Sequence, residues 1–238
     1  MGTIINFAAI IIGGVIGIVF NKSISKRFQD TILKAIGLSV LFVGASGALK
    51  ESFQINNGAL ESGDMMGMII SLVLGSVLGE AINIEENIEK FGDWLKQKVK
   101  SEKDPTFTDG FVMATITVCV GAMAIVGSIA DGITGDYTIL LTKSIIDGIT
   151  IMIFASSMGK GAVFSAFPLI AYQGAITLLA RWVEPFITEE ITASISLVGS
   201  VMIFALGVNI AFGKKFKVSN MLPALLVSVV YVWVRKFI

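Results

Sequence analysis

The dominant pattern along the chain is a series of continuous apolar runs separated by short polar segments. Runs of about twenty residues span a bilayer as α-helices. Because backbone groups in lipid must be paired within the protein, we expect an all-α, polytopic transmembrane helix bundle of about eight spans. The predicted spans are 4–20, 33–49, 66–82, 110–130, 138–158, 161–182, 192–212 and 219–237, in one transmembrane domain covering residues 1–238.

One long polar segment, 83–109, interrupts this pattern and predicts an amphipathic helix over 85–100. Its apolar residues recur at three- and four-residue steps, with acids early and lysines late, as the helix macrodipole favours. Such a helix is typical of a segment lying on the membrane surface. A docking surface for a partner protein remains the alternative.

The distribution of Lys and Arg between the loops predicts the orientation, because cytoplasmic loops carry an excess of both. Odd-numbered loops carry thirteen of them and the opposite side four. We therefore expect a multi-pass protein of the cytoplasmic (inner) membrane with an even span count and both termini outside. The lipid bilayer is the first predicted partner.

Composition narrows the function classes. The chain is 54% hydrophobic and 15% charged with a formal net charge of zero, so no nucleic-acid partner is expected. It has no histidine and one cysteine, Cys119, which excludes zinc clusters and an intramolecular disulfide. We predict no metal, no cofactor and no enzymatic activity.

Internal similarity indicates a repeat. Residues 31–50 align without gaps to 141–160, and 72–82 resemble 168–178. In the predicted orientation, spans one to three and four to six would be inverted repeats, which are common in secondary transporters. Chance similarity between helices rich in Gly, Ala and Ile is the alternative.

Two ionisable residues lie inside the fifth predicted span. Asp147 is nine residues into the span, about 14 Å along the helix at 1.5 Å per residue, and Lys143 is one turn earlier on the same face. Since intramembrane charges are costly, this pair predicts a proton or cation site. A buried pair that only fixes helix packing is the alternative.

The segment 131–136 predicts a break between two apolar runs, and the helices on either side of it are full spans or broken or re-entrant helices. Gly132 and Gly135 permit an unwound backbone. Asp131 and Asp136 would then join freed backbone groups in binding an ion or solute. Alternatively the segment is an extracellular turn in which the two aspartates cap helices, with Asp136 well placed at the start of the following span.

The remaining polar groups near the spans are Asn6, Glu80, Gln173 and Asn209. Each could line a cavity or make a helix–helix hydrogen bond, and we include Gln173 and Asn209 in the predicted site. Pro168 is expected to kink its span. The Gly13/Gly17 and Gly75/Gly79 steps predict close helix packing, and such glycine faces also allow a homo-oligomer.

Several motifs together resemble a known family. They are IIGGVIG, LGSVLGE, DGITGDYTILLTKSIIDGITIMIFA, SAFP, YQGA and NMLPALL. The chain resembles the YqgA/YdfK-like family of uncharacterised bacterial multi-pass inner-membrane proteins, a domain-of-unknown-function family. This resemblance implies a membrane location, leaves the substrate open, and adds Thr134 and Ser144 to the candidate solute- or ion-binding residues.

We therefore expect a secondary transporter of a small solute or ion, coupled to H⁺ or Na⁺ through Asp147 and Lys143. An ion channel or passive pore would share the polar groups but need no coupling ion. A structural or accessory membrane subunit is the third possibility, with the amphipathic helix as its partner surface.

Overall fold

The protein is almost entirely helical in the computed structural model, which describes residues 1–21, 26–56, 59–120 and 122–235. This confirms the expected all-α polytopic bundle. The α-helices of the described residues are α1 (Gly2–Asn21), α2 (Lys26–Ser52), α3 (Met65–Ile82), α4 (Ile84–Lys98), α5 (Phe107–Cys119), α6 (Ala122–Ile133), α7 (Thr138–Met158), α8 (Ala166–Leu178), α9 (Ala180–Val183), α10 (Glu189–Phe212) and α11 (Pro223–Arg235).

Within the described part of the chain, seven helical segments are long and apolar enough to cross a membrane, and α5 with α6 makes an eighth if this bent pair is one span. The seven are Gly2–Phe20, Asp30–Ser52, Met65–Ile82, Thr138–Met158, Lys160–Leu178, Glu189–Phe212 and Val218–Arg235. The amphipathic helix predicted over 85–100 is present as α4, with Phe91 and Trp94 about half exposed.

The break in the fourth span lies earlier than the sequence indicates. We expected a span over 110–130, with the break, and any broken or re-entrant helix, around 131–136. Instead α5 ends at Cys119, where Val120 adopts an extended backbone, and the axis turns by 60° into α6. Residues 131–133 complete α6, and residues 134–137 connect it to α7.

A short antiparallel β-hairpin follows α2. The sequence did not predict this hairpin. Its strands are β1 (Phe53–Asn56) and β2 (Ala59–Ser62), and Phe53 pairs with Ser62. The hairpin connects the end of α2 to the start of α3, where the Asp64 carboxylate accepts a hydrogen bond from the N–H of Gly67. The side chain of Asp64 thus caps α3.

The contacts divide the chain into two compact units. Unit 1 comprises Met1–Ile36 and Glu86–Phe186, and unit 2 comprises Gly37–Glu85 and Ile187–Ile238. Unit 1 therefore contains α1 and α5–α9, and unit 2 contains α3, α10, α11 and the hairpin. The boundaries fall within α2 and α4.

In unit 1, α1 packs along α7 at very short range. A Cβ atom added to Gly13 would lie 2.1 Å from the carbonyl oxygen of Gly148, and one added to Gly17 would lie 2.2 Å from that of Met152. Only glycine permits this approach, which confirms the predicted role of these small residues. Residue numbers rise together along the seam, so the two helices run parallel.

In unit 2, α3 packs against α11 in the same manner but antiparallel. A Cβ on Gly75 would lie 2.3 Å from Ala224 of α11, and one on Gly79 would lie 1.9 Å from the carbonyl oxygen of Asn220, in the turn that precedes α11. The second predicted glycine step is thus also a packing feature.

Each unit contains two long helices joined through a glycine and a 3₁₀ turn. In unit 1, α7 ends at Gly159 (φ 80°), followed by a 3₁₀ turn over Lys160–Ser165 and by α8. In unit 2, α10 ends at Gly213 (φ 81°), followed by a turn over Val218–Met221 and by α11. The inverted repeat of 31–50 with 141–160 stays a prediction.

Pro168 lies at the beginning of a helix and not inside one. It is the third residue of α8, directly after the 3₁₀ turn. The first N–H groups of a helix have no intrahelical acceptor, so proline loses no hydrogen bond there. Pro168 therefore belongs to the start of the helix.

Candidate functional site

A buried polar cluster lies between three helices of unit 1. It consists of Asn6 on α1, Lys143 and Asp147 on α7, and Gln173 on α8, each less than a tenth exposed. The i, i+4 spacing places the amine and the carboxylate of α7 on one face. The structure thus brings together three residues of the predicted site and adds Asn6.

The cluster is held by an ion pair and an amide bridge. Lys143 donates to a carboxylate oxygen of Asp147. The side-chain N–H₂ of Asn6 donates to the same carboxylate at 2.9 Å and lies 3.4 Å from the side-chain oxygen of Gln173. The latter distance is long for a hydrogen bond, so Gln173 is the more weakly held member.

The broken span also contributes to this cluster. The Nζ atom of Lys143 donates to the backbone carbonyl of Val118 at 2.8 Å. Val118 is in the last turn of α5, just before the chain leaves the helix at Val120. Carbonyl groups at a helix C-terminus lack intrahelical donors and carry partial negative charge, so they attract an ammonium group.

Two buried atoms of the cluster lack hydrogen-bond partners within the described residues. They are the side-chain oxygen of Asn6, an acceptor, and the side-chain nitrogen of Gln173, a donor. An unpaired buried polar group costs about 1–3 kcal/mol. A water or a small polar solute that both donates and accepts hydrogen bonds would satisfy the two atoms.

The carboxylate of Asp131 is engaged at the beginning of α1. It is buried and accepts hydrogen bonds from the N–H of Gly2 at 2.9 Å and from the amino group of Met1 at 2.9 and 3.0 Å. Asp131 therefore satisfies backbone donors at a helix N-terminus, as a capping residue does, although it lies on a different helix.

Asp136 lies at the exposed start of α7. Its carboxylate accepts the N–H of Thr138, the first residue of α7, at 2.9 Å. The N-cap residue is Tyr137, so Asp136 lies one residue before the position at which the sequence analysis placed a cap. Hydrogen bonds from Thr138 lower the pKa of Asp136 below its ordinary value, and the bond from the Thr138 side chain contributes more than the bond from its backbone N–H. Thr134 is also exposed, and its hydroxyl donates to the carbonyl of Ala130.

The two predicted hinge glycines have different environments. Gly132 is helical, and a Cβ there would lie 2.3 Å from the carbonyl oxygen of Thr177. Gly135 has a φ of 74° and open space around it. Only Gly135 thus adopts the unusual backbone that the sequence suggested for both.

Ser144 and Asn209 make local contacts. The Ser144 hydroxyl donates to the carbonyl of Leu140 one turn earlier. Asn209 lies in unit 2, where its side-chain oxygen accepts the N–H groups of Lys215 and Phe216 and its nitrogen donates to the carbonyl of Phe216. Asn209 thereby fixes the connection that follows α10.

Unit 2 contains a second polar cluster that the sequence analysis missed. Asn220 donates to the carboxylate of Glu80 at 2.6 Å and accepts the N–H of Glu85 at 2.7 Å. Glu80 also pairs with Lys217, and Glu85 with Lys214. The sequence indicated Glu80 as a polar group near a span and showed Asn220 within NMLPALL, but neither position reveals its partners.

No group of three or more His, Cys, Asp or Glu side chains within the described ranges could hold a metal ion. The polar groups of the unit 1 cluster are one carboxylate, two amides, a carbonyl and an ammonium group. Proton exchange and solute binding are the chemistry that such groups support.

The comparisons with known proteins concern nearly the whole chain. Residues 1–233 match a family described as "Protein of unknown function (DUF554)". The chain is 33% identical over 233 residues to the "Uncharacterized membrane protein YdfK" of Bacillus subtilis (strain 168), covering 98% of this chain and 96% of the relative. It is 28% identical over 232 residues to the "Uncharacterized protein YqgA" of Escherichia coli (strain K12), covering 96% and 94%. No solved structure matches.

Proposed function

The chain belongs to the DUF554 family, whose function is unknown, and we propose its function from the geometry of the buried cluster. We propose that it is a proton-coupled secondary transporter of a small solute. The relative in Bacillus subtilis is described as a membrane protein, in agreement with the seven or eight segments among the described residues of this chain that are long and apolar enough to cross a membrane. The proposal places it in the cytoplasmic membrane with both termini outside, following the lysine distribution.

The observation that carries the proposal is the contact of the buried Lys143–Asp147 pair with a discontinuous span. The Lys143 ammonium group bridges the Asp147 carboxylate and the Val118 carbonyl beside the break. Transporter sites are commonly built where a helix is interrupted and its end groups face an ion or solute. A pair that only stabilised packing would not require this break.

The proposed coupling ion is a proton. The cluster contains one carboxylate, and its cation position is already filled by Lys143. A Na⁺ ion would have to displace this ammonium group and collect several oxygen ligands. A proton needs only one oxygen of Asp147.

Charge balance links the proton to the solute. The ion pair is neutral overall, so protonating Asp147 leaves Lys143 as an uncompensated buried charge, which is costly in the membrane interior. A solute group that is negative or accepts hydrogen bonds would offset this charge, and the unpaired nitrogen of Gln173 supplies a second donor for it. Solute binding and proton uptake therefore favour each other.

The test is solute-driven proton movement in liposomes containing purified protein and an internal pH-sensitive dye. The panel would hold small carboxylates, inorganic phosphate, amino acids and neutral polyols, each with and without Na⁺. We expect at least one solute to acidify the lumen in a saturable manner without Na⁺. In the Asp147→Asn variant this flux should be lost, whereas the Asp109→Asn variant, with an exposed carboxylate in the same unit, should retain it.

Several outcomes would contradict the proposal. Wild-type flux in Asp147→Asn would exclude this carboxylate as the coupling group, and a strict Na⁺ requirement would replace the proton. Non-saturating electrical conductance would indicate a channel. No flux and no conductance with any member of the panel would favour an accessory subunit.

A further inference from the structure

Unit 2 contains a negatively charged cavity of about 600 Å³ that does not involve the buried pair of unit 1. It lies where α3 and α10 begin and where α2 and α11 end. It is lined by Glu51, Ser62, Gly63, Asp64, Glu189, Glu190, Ala193, Ser194, Leu197 and Arg235. This volume is typical of small-molecule sites.

The only cationic side chain of the lining is already neutralised. Arg235 donates to the Asp64 carboxylate at 3.0 Å and pairs with Glu190. With four carboxylates and one guanidinium group, the lining has a formal charge of −3. Because two carboxylates hold the guanidinium group, it is not available to an anionic ligand.

The other two carboxylates are poorly compensated. Glu51 has a side chain only 19% exposed, and its ion pair is with the adjacent Lys50, which is 80% exposed and 3.4 Å away. Glu189 is exposed in the first turn of α10. Concave surfaces lined by one sign of charge concentrate ions of the opposite sign.

A buried hydroxyl group gives the cavity a further polar contact. Ser194 is 7% exposed, lines the cavity, and makes no hydrogen bond to the rest of the described chain. Serine in a helix commonly bonds the carbonyl one turn earlier, as Ser144 does. The Ser194 hydroxyl is instead free to donate to or accept from a ligand.

We propose that this cavity binds a small organic cation, such as an aliphatic diamine. Two ammonium groups would pair with Glu51 and Glu189, and the methylene chain would lie against Ala193 and Leu197. The Ser194 hydroxyl would accept an N–H from the ligand. The proposal does not depend on the transport function proposed for unit 1.

The competing explanation is that the acids only complement helix dipoles. Asp64 precedes α3, and Glu189 and Glu190 occupy the first turn of α10, where negative charge is stabilising. That role accounts for neither the unpaired Ser194 hydroxyl nor the partly buried Glu51 at the C-terminal end of α2, where a carboxylate is unfavourable.

Isothermal titration of the purified full-length protein with 1,4-diaminobutane in a non-ionic detergent tests the proposal. We expect the diamine to bind the wild-type protein in a saturable manner, and we expect no binding of propionate, a small anion. Glu189→Gln should weaken binding about tenfold or more, as expected for a charge-assisted hydrogen bond. Ser194→Ala should weaken it less, and the matched control Glu184→Gln, an exposed acid of unit 1, should not change it.

Absence of saturable diamine binding up to roughly 10 mM, near the weak limit of specific affinity, would overturn the proposal. So would equal weakening by Glu189→Gln and Glu184→Gln, because binding would then follow overall charge. If the wild-type protein carries proton flux but binds no diamine, only the cation site is rejected. If it binds the diamine but carries no proton flux, only the transport proposal is rejected.

Discussion

Neutralising the Lys143–Asp147 pair one residue at a time should cost more stability than neutralising both. In Asp147→Asn the buried Lys143 keeps the Val118 carbonyl but loses its counter-charge, and in Lys143→Met the Asp147 carboxylate keeps only the amide of Asn6. Breaking a buried ion pair from one side typically costs about 3–5 kcal/mol. We expect that range for each single variant.

The double variant removes both charges and leaves one known defect. The Val118 carbonyl loses its donor, which corresponds to about 1–3 kcal/mol for an unpaired buried group. The Lys143→Met/Asp147→Asn protein should therefore be more stable than either single variant, but it should carry no coupled flux. Structural and functional roles of the pair are thereby separated.

The assay is a double-mutant cycle on unfolding free energies in mixed micelles. Thr142→Val is a suitable control on the same helix, because this exposed hydroxyl bonds only the carbonyl of Thr138 and its loss should change stability by less than about 0.5 kcal/mol. A double variant destabilised by the sum of the two single effects would refute the reasoning, since the side chains would then not pair in the folded protein.

Two further predictions concern unit 2 and the glycine seams. Gly79→Ala should greatly reduce the yield of folded protein, because the added Cβ would meet the Asn220 carbonyl. Gly174→Ala should be neutral or slightly stabilising, because nothing lies within 4 Å of its added Cβ. Size-exclusion profiles in detergent compare the two variants. The hydrogen bond from Lys217 to Glu80 raises the pKa of Lys217 above its ordinary 10.5, so this contribution to stability should be complete below pH 10.5 and lost as pH rises through the folded pKa. Melting temperatures of wild type and Glu80→Gln should therefore converge at high pH, and a constant difference would contradict the assignment.

The sequence was sufficient for the features that depend on local composition. Apolar runs predicted the membrane-crossing helices, and the i, i+4 spacing predicted that Lys143 and Asp147 share a face. The Gly13/Gly17 step predicted close packing, which the structure confirms. These features follow from short-range periodicity, which a single sequence displays.

The features that depend on long-range contacts were not predictable. Asn6 is a single amide in an apolar helix, and its partner Asp147 lies 141 residues away. The sequence suggested an ion-binding role for Asp131, but it could not indicate that this carboxylate caps α1. The break at Val120 also escaped prediction, because residues 118–127 around it contain no charged, amide or hydroxyl side chain.

The glycine seam between α1 and α7 has a mechanical consequence. Backbone atoms in van der Waals contact at Gly13 and Gly148 cannot slide past one another without a clash, so the two helices should move as one rigid body. Asn6 and Asp147 travel together on this body, joined at 2.9 Å, whereas Gln173 on α8 is held at only 3.4 Å. Of the side-chain contacts of Asn6, the one to α8 is therefore the weaker, and we expect any opening of the cluster to begin on that side.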